Sequence, residues 1–535
     1  MYANFLSHSN RTLKAITQLI FLSALFAPQG YAAKFDLDSQ SEVIFPSFDS
    51  NKALPGLESG EVYQGTDDVK LLESEDDSIR NLLRNGILHF RAGDITKGLN
   101  ELKQAWEKAP NMPSTSVTLG MHYVKAKKYS EALGIAKKQK EFFPDKPYAF
   151  ILEGFAYQGL GEKDRSIAAF NQALKMSPGE PVASAALADY AVSEKNTDKA
   201  RDLYLAALKH HPDSLSTLLL LIRLDNPLKK DTRETEMLVE KAVQASPDTP
   251  FTHKTVAYAY FLLKQYSHAV AEINKALAVE SNAPTQFQLA QYLAYDGQMK
   301  ASSEILHTLM KQYPDKVAPK ALAGRLALAQ KQPEEAVKLF KEAYALQDTT
   351  DIALQLTLAQ IATGDKQSAF ITLENQVKKF PKDAVLRGRY AELLRKNDRQ
   401  QEAIQQYKEI LSLTPGDPYI KNNLAWLHFE QGDLKAAMQQ AEAAKDIAPN
   451  DPKILDTYGV MLMKNNQFSM AVEIFQKALK EQPDNTTVRI HLAEALAKTD
   501  KIDQSRILLK ELIKHTDSLE ERQSAEELLN KLESH

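Results

Sequence analysis

The sequence predicts an all-α solenoid of about thirteen stacked two-helix units, closed by a C-terminal capping helix. Three observations predict it. Prolines stand at Pro381, Pro415, Pro449 and Pro483, 34 residues apart each time. Between them run two stretches of about a dozen residues whose apolar side chains fall three, four and seven apart, the period of an amphipathic helix. Small residues recur at unit positions 8, 20 and 27, where two antiparallel helices must approach closely.

The unit from Pro418 to Pro449 shows the pattern. Leu424, Ala425 and His428 mark a first helix, Gly432-Asp433 breaks it, and Ala437, Ala441 and Ala444 mark a second. The following unit repeats it with Tyr458, Gly459, Leu462, Ala471, Phe475 and Ala478. Each closing proline lacks an amide hydrogen and so ends or restarts a helix. Glycine at the turn permits a left-handed residue, and the acid beside it caps the second helix. Two helices alone enclose too little core, so such units have to stack.

From the start of the chain, residues 1–32 are expected to be a secretory signal. Arg11 and Lys14 supply its positive charge, and the apolar run Ala15 to Ala27 follows. That run is short of the roughly 20 residues needed to span a bilayer. Gly30 and Ala32 suit positions −3 and −1 of a cut after Ala32. The alternative is an anchor that stays attached. Residues 33–78 read as an acidic, largely disordered leader, with 12 Asp or Glu against three Lys from Lys34 to Ser78. The chain has no cysteine, which excludes disulfides, thiol chemistry and a lipid-modified cysteine.

Unit starts are expected at Ile79, Pro113, Pro147, Pro181, Ser216, Pro250, Ala283, Val317, Thr350, Ala384, Pro418, Pro452 and Thr486, covering 79–517. The unit from Ser216 is the least regular. Its first helix, Leu218 to Leu224, meets Pro227 early, which makes 225–232 the expected place for an irregular turn or a sub-boundary. Residues 518–535, with Leu528, Leu529 and Leu532, suit a cap over the apolar end of the stack.

Function classes narrow by exclusion. Net charge is −4, and no long basic tract appears, which argues against nucleic acid. No phosphate-cradling Gly-rich loop, His-Glu-x-x-His or nucleophile elbow is present. His210-His211 sits at a helix end beside Pro212, where a capping role suffices, and the other histidines lie far apart in sequence. No catalytic residue, cofactor or metal site is assigned.

The 34-residue period resembles that of the tetratricopeptide-repeat (TPR) family over about four fifths of the chain. Departures are modest: no tryptophan at unit position 4, and Arg223 and Thr357 in place of a small residue at position 8. The resemblance implies a superhelical solenoid whose first helices line a binding groove through unit positions 2, 5, 9, 12 and 13. Those positions are Tyr148, Ile151, Phe155 and Gln158 in the third unit, then Phe251, Lys254, Tyr258 and Phe261 in the sixth. They are Phe287, Gln291 and Tyr295 in the seventh, and Tyr419, Asn422, Trp426, Phe429 and Glu430 in the eleventh. The expected partner-binding residues are Tyr148, Phe155, Tyr258, Phe261, Phe287, Tyr295, Tyr419, Asn422, Trp426 and Phe429, because exposed aromatics offer large rigid contact surfaces. Asp456, Lys464, Glu494 and Lys498 would make the last stretch of the groove charged, while Trp106 falls on a second helix and suits packing.

A narrower resemblance lies in Asn422-Asn423-Leu424-Ala425-Trp426-Leu427, Leu455-Asp456-Thr457-Tyr458-Gly459-Val460 and Ile490-His491-Leu492-Ala493-Glu494-Ala495-Leu496. These are similar to the last repeats of exported TPR proteins tied to exosortase and exopolysaccharide systems of Gram-negative bacteria. Those usually carry Gly-Trp where this chain has Gly459-Val460. The resemblance implies a non-enzymatic periplasmic scaffold that binds a protein or peptide, with membrane contact only through a retained signal or a membrane partner. The alternative is a polysaccharide-binding or exopolysaccharide-export accessory protein.

Overall fold

In the computed structural model, residues 77–225, 232–516 and 519–533 are described. The expected signal, nearly all of the acidic leader, and Pro227 in the irregular turn lie outside them. The described chain is all-α, with 27 helices that form thirteen antiparallel pairs and a final single helix. It divides into two compact units, 77–315 and 316–533.

The first unit contains seven pairs. They are α1 (Asp77–Arg91) with α2 (Ile95–Lys108), α3 (Pro113–Lys125) with α4 (Tyr129–Phe142), and α5 (Tyr148–Gly159) with α6 (Lys163–Met176). Next come α7 (Pro181–Ser193) with α8 (Thr197–His210), and α9 (Leu215–Asp225) with α10 (Thr232–Ala245). The last two are α11 (Pro250–Leu262) with α12 (Tyr266–Val279), and α13 (Ala283–Tyr295) with α14 (Met299–Gln312).

The second unit has six pairs. They begin with α15 (Val317–Ala329) and α16 (Pro333–Leu346), α17 (Thr350–Ala362) and α18 (Lys366–Lys379), and α19 (Ala384–Arg395) and α20 (Gln400–Leu413). They continue with α21 (Pro418–Glu430) and α22 (Leu434–Ile447), α23 (Pro452–Lys464) and α24 (Phe468–Glu481), and α25 (Thr486–Lys498) and α26 (Ile502–His515). The single helix α27 (Leu519–Glu533) packs Ala525, Leu528, Leu529 and Leu532 onto Leu509 and Leu512, as a cap should.

Among the described residues, the turns inside twelve of the pairs share one geometry. Gly93, Gly161, Gly297, Gly364 and Gly432 adopt positive φ, as their sequence position predicts. Lys127, Lys195, Lys264, Lys331, Asp398, Asn466 and Asp500 take the same place at φ between 58 and 61 without glycine's freedom. The left-handed turn is therefore kept with or without glycine, and the non-glycine residues bear a strain of about 1 kcal/mol each. Asp94, Asp365 and Asp433 follow glycines and cap their second helices, accepting from Lys97 N, Ser368 N and Ala436 N.

Within pairs, the small residue at position 8 is shaped to a ring at position 24. A side chain on Gly154, Gly324 or Gly459 would strike Phe170, Phe340 or Phe475, all fully buried. At position 20, buried Ser166, Ser302 and Ser505 each donate a hydroxyl hydrogen bond to the position-8 carbonyl of the paired helix, Gly154, Ala290 and Ala493, at 2.6–2.8 Å. These bonds satisfy buried hydroxyls that would otherwise carry a desolvation cost.

The stack runs unbroken past the irregular unit. Helix α9 starts at Leu215 and is only 11 residues long. One apolar cluster nonetheless runs from Ala188 through Leu218 and Ile222 to Val256 and Ala259. Arg201 clamps the region: its Nε is 3.0 Å from Asp225 Oδ1 and its Nη2 is 2.5 Å from Glu234 Oε2, joining α8, α9 and α10. The division between the two compact units falls after Asp315.

Candidate partner-binding face

Successive first helices place equivalent residues side by side, so a face assembled from them is read at intervals of 34. In the second unit, the best-defined stretch centres on α21. Its N-cap Asp417 accepts from Tyr419 N and Ile420 N and fixes where the helix begins. Ile420, Leu424 and Leu427 go to the core on one side, while Trp426 and Phe429 pack partly buried against the core that continues through Ala425, Leu455 and Tyr458; Tyr419 and Asn422 are half-buried as well.

Their contacts separate two roles. Tyr419 Oη donates to Asp451 Oδ2 at 2.7 Å, and Trp426 Nε1 donates to Thr457 Oγ1 at 3.1 Å. Both bonds reach the next repeat, so both half-buried side chains hold repeats together. Burial, followed by the Asp451 hydrogen bond, pushes the Tyr419 phenol up to about 12. Phe429 meets Trp426 edge-on at 6.1 Å and lies beneath the Lys464 ammonium at 5.8 Å. Asn422 carries a buried Oδ1 that accepts no hydrogen bond from the protein.

Further along, Asp456 Oδ1 is 2.6 Å from His491 Nδ1, joining α23 to α25. Burial works against charge on this imidazole, but the hydrogen bond and the charges of Asp456 and Glu494 prevail and raise its pKa above the ordinary value. The other end of the face is also ionic: Arg325 pairs with Asp351 at 3.0 Å, and Arg395 bridges Glu392 at 3.0 Å and Glu430 at 3.2 Å.

In the first unit the predicted aromatics divide differently. Tyr148, Phe155, Tyr258, Phe287 and Tyr295 are half-buried. Phe155 is edge-on to the buried Phe170 at 5.1 Å, and Tyr148 packs against Phe143 at 6.3 Å. Phe261 departs from the expectation of an open ring. It is 6% exposed, stacked on Tyr292 at 5.1 Å and edge-on to Tyr295 at 4.9 Å. Tyr266 lies 5.5 Å from Phe261 and completes an aromatic core between two repeats. Sequence position 12 could not reveal this, because the covering ring comes from the next unit. Trp106 packs in the core of the first pairs, as expected.

Among the described residues, no group of three or more His, Cys, Asp or Glu side chains could hold a metal ion, and no helix is long and apolar enough to cross a membrane.

Comparisons with known proteins agree with the helix pairs. Tetratricopeptide repeat family models match residues 324–518 and 152–214. Tetratricopeptide repeat protein 21B of Mus musculus is 22% identical over 298 residues, 53% of this chain and 21% of that protein. Cellulose synthase operon protein C of Pseudomonas fluorescens is 23% identical over 403 residues, 61% of this chain and 31% of that protein. The chain thus spans a minor part of either relative's length. The solved Cut9–Hcn1 hetero-tetramer of APC/C aligns over 87% of this chain and 98% of that one, at 13% identity and a TM-score of 0.33.

Proposed function

We propose, for a chain that belongs to the tetratricopeptide-repeat family, that it is a non-catalytic scaffold of the cell envelope that binds a protein or peptide on its first-helix face. The observation that carries this reading is α21. There Asn422 and Phe429 stand half-buried, Phe429 with one side against the core, on a helix whose geometry is fixed by the Tyr419–Asp451 and Trp426–Thr457 bonds. A rigid aromatic beside an amide with spare hydrogen-bonding capacity suits an extended peptide, which offers both side chains and backbone. The signal-like residues 1–32 support export, with the periplasm of a Gram-negative bacterium as the location and residues 33–78 as a leader ahead of the repeats.

The test is an affinity capture from envelope extract with the chain from Ala33 onward. An Asn422→Ala/Phe429→Ala double variant is run beside it, sparing the two residues that bond between repeats. Loss of a partner with the variant alone supports the reading. Retention of every partner moves the binding surface elsewhere and defeats it.

A second reading is favoured by the similarity to cellulose synthase operon protein C over 61% of this chain. On that reading the scaffold serves polysaccharide export, and its half-buried rings stack on sugars. A glycan array decides between direct and indirect roles: signal lost in Trp426→Ala supports stacking, and no signal above background rejects it.

A further inference from the structure

Charge is divided unevenly along the chain. Residues 34–77 carry 12 Asp or Glu against three Lys, a net −9. Residues 78–146, which form the first two helix pairs, carry 13 Lys or Arg against six Asp or Glu, a net +7. The whole chain is only −4, so two adjoining stretches stand far from its average with opposite signs. The acid is densest where the leader joins the fold: Asp67, Asp68, Glu73, Glu75 and Asp76 lie within ten residues of Asp77, the start of α1.

Lysines of the second helices stand near that junction. Lys108, at the end of α2, donates to Ser78 Oγ at 2.8 Å in the first turn of α1, which sets the C-terminal end of α2 against the point where the leader enters. Lys103 lies on the same helix. Lys137 holds the same unit position on α4, 34 residues on, with Lys138 beside it. All four side chains are exposed. Lys103 meets Glu107 at 3.6 Å and Lys138 meets Glu141 at 2.8 Å, each one turn away on its own helix, and exposed pairs of that kind hold loosely. Phe142, one turn beyond Lys138 and 43% exposed, adds an apolar contact. The nearest dense negative charge is the leader itself. A tethered segment meets its own site at an effective concentration in the millimolar range. The ten residues before Asp77 can span up to about 33 Å, the breadth of roughly three helices packed 8–10 Å apart, which carries them from α1 as far as α4.

We propose that residues 67–76 of the leader dock on the second-helix lysines Lys103, Lys108, Lys137 and Lys138 of the same chain, with Val69, Leu71 and Leu72 meeting Phe142. The contact is mainly electrostatic, so it weakens with salt. While in place it keeps other anions, a bilayer surface included, off the patch. It uses second helices only and is independent of the first-helix binding reading.

The test is carbodiimide coupling, which joins a carboxylate to a lysine amine where the two touch, on the chain from Ala33 onward, read by mass spectrometry. Unlabelled and heavy-isotope-labelled protein are mixed, so that coupling within a chain is told from coupling between chains. Circular dichroism confirms that the variants fold. The expected result is same-label coupling of residues 67–76 to the four lysines, well above coupling to the exposed Lys311 and Lys480. It should fall about tenfold in roughly 0.5 M salt, where the Debye length is only about 4 Å. In a Lys137→Glu/Lys138→Glu variant, coupling to Lys103 and Lys108 should fall about tenfold, and Asp67→Lys/Asp68→Lys in the same chain should restore part of it. Coupling to the patch no stronger than to Lys311 and Lys480, or unchanged by salt and by the variant, overturns the proposal. Coupling confined to mixed-label pairs makes the leader of a second copy the occupant and overturns it too. Flotation with phosphatidylglycerol vesicles supplies the last arm: wild type that floats through Lys137 and Lys138, with no leader coupling, assigns the patch to a bilayer and overturns the proposal.

Discussion

The indole Nε1 of Trp426 donates a hydrogen bond to Thr457 Oγ1 at 3.1 Å, from the first helix of one repeat to the first helix of the next. Thr457 in turn donates its hydroxyl hydrogen bond to Lys453 O at 3.2 Å, so the hydroxyl both accepts and donates. Trp426→Phe should therefore cost about 1 kcal/mol, the value of the lost hydrogen bond. Trp426→Ala should cost about 2–3 kcal/mol, because half-buried apolar area is lost as well. Urea unfolding measures both. If both variants match wild type, the inter-repeat role is wrong.

Glycine positions separate by what surrounds them. A Cβ on Gly459 would lie 2.4 Å from Phe475 Cε1, and that ring is fully buried. Gly459→Ala should destabilise by about 1–3 kcal/mol through overpacking. Gly134 lies inside helix α4, where a Cβ meets nothing within 4 Å. Gly134→Ala should stabilise by about 0.5–1 kcal/mol, since alanine is the better helix former. Opposite shifts in thermal melting of the two variants check the packing.

The left-handed turns give the reverse case. Lys331 holds φ 60 where other repeats place glycine. Lys331→Gly relieves that strain at some cost in unfolded-chain entropy, and should raise stability by about 0.5–1 kcal/mol. A loss of stability would show that the side chain supplies something the backbone does not.

The His491–Asp456 pair links stability to pH. The folded-state pKa of His491 is raised above 6.5. Its contribution is then fully present below about pH 6.5 and disappears as pH rises through the raised value, since the folded state binds the proton more tightly than the unfolded one. Melting curves taken on either side of that window should converge for wild type and His491→Gln at high pH and separate at low pH. Curves that stay parallel would remove the linkage.

Much of the fold was legible because its cause is periodic. Prolines, turn glycines and small residues at positions 8, 20 and 27 place 27 helices with boundaries close to those expected. The turn at Lys331 or Asp398 was less visible, since a stacking constraint makes a non-glycine residue left-handed without leaving a composition signal. The candidate face was legible only in part. Asn422 and Phe429 sit where unit positions 5 and 12 place them, whereas Phe261, at position 12 of its own unit, is covered by Tyr292 of the next. A periodic rule assigns a face to each helix but cannot say which neighbour's side chain closes over it.

The measurement that tests the central claim most directly is site-specific photo-crosslinking in the producing cell. A photoreactive amino acid is placed at Asn422 on the first-helix face or, separately, at the exposed Lys480 on the second helix α24. Binding along the first helices predicts a discrete partner adduct from Asn422 and none from Lys480. Adducts from Lys480 alone would contradict it.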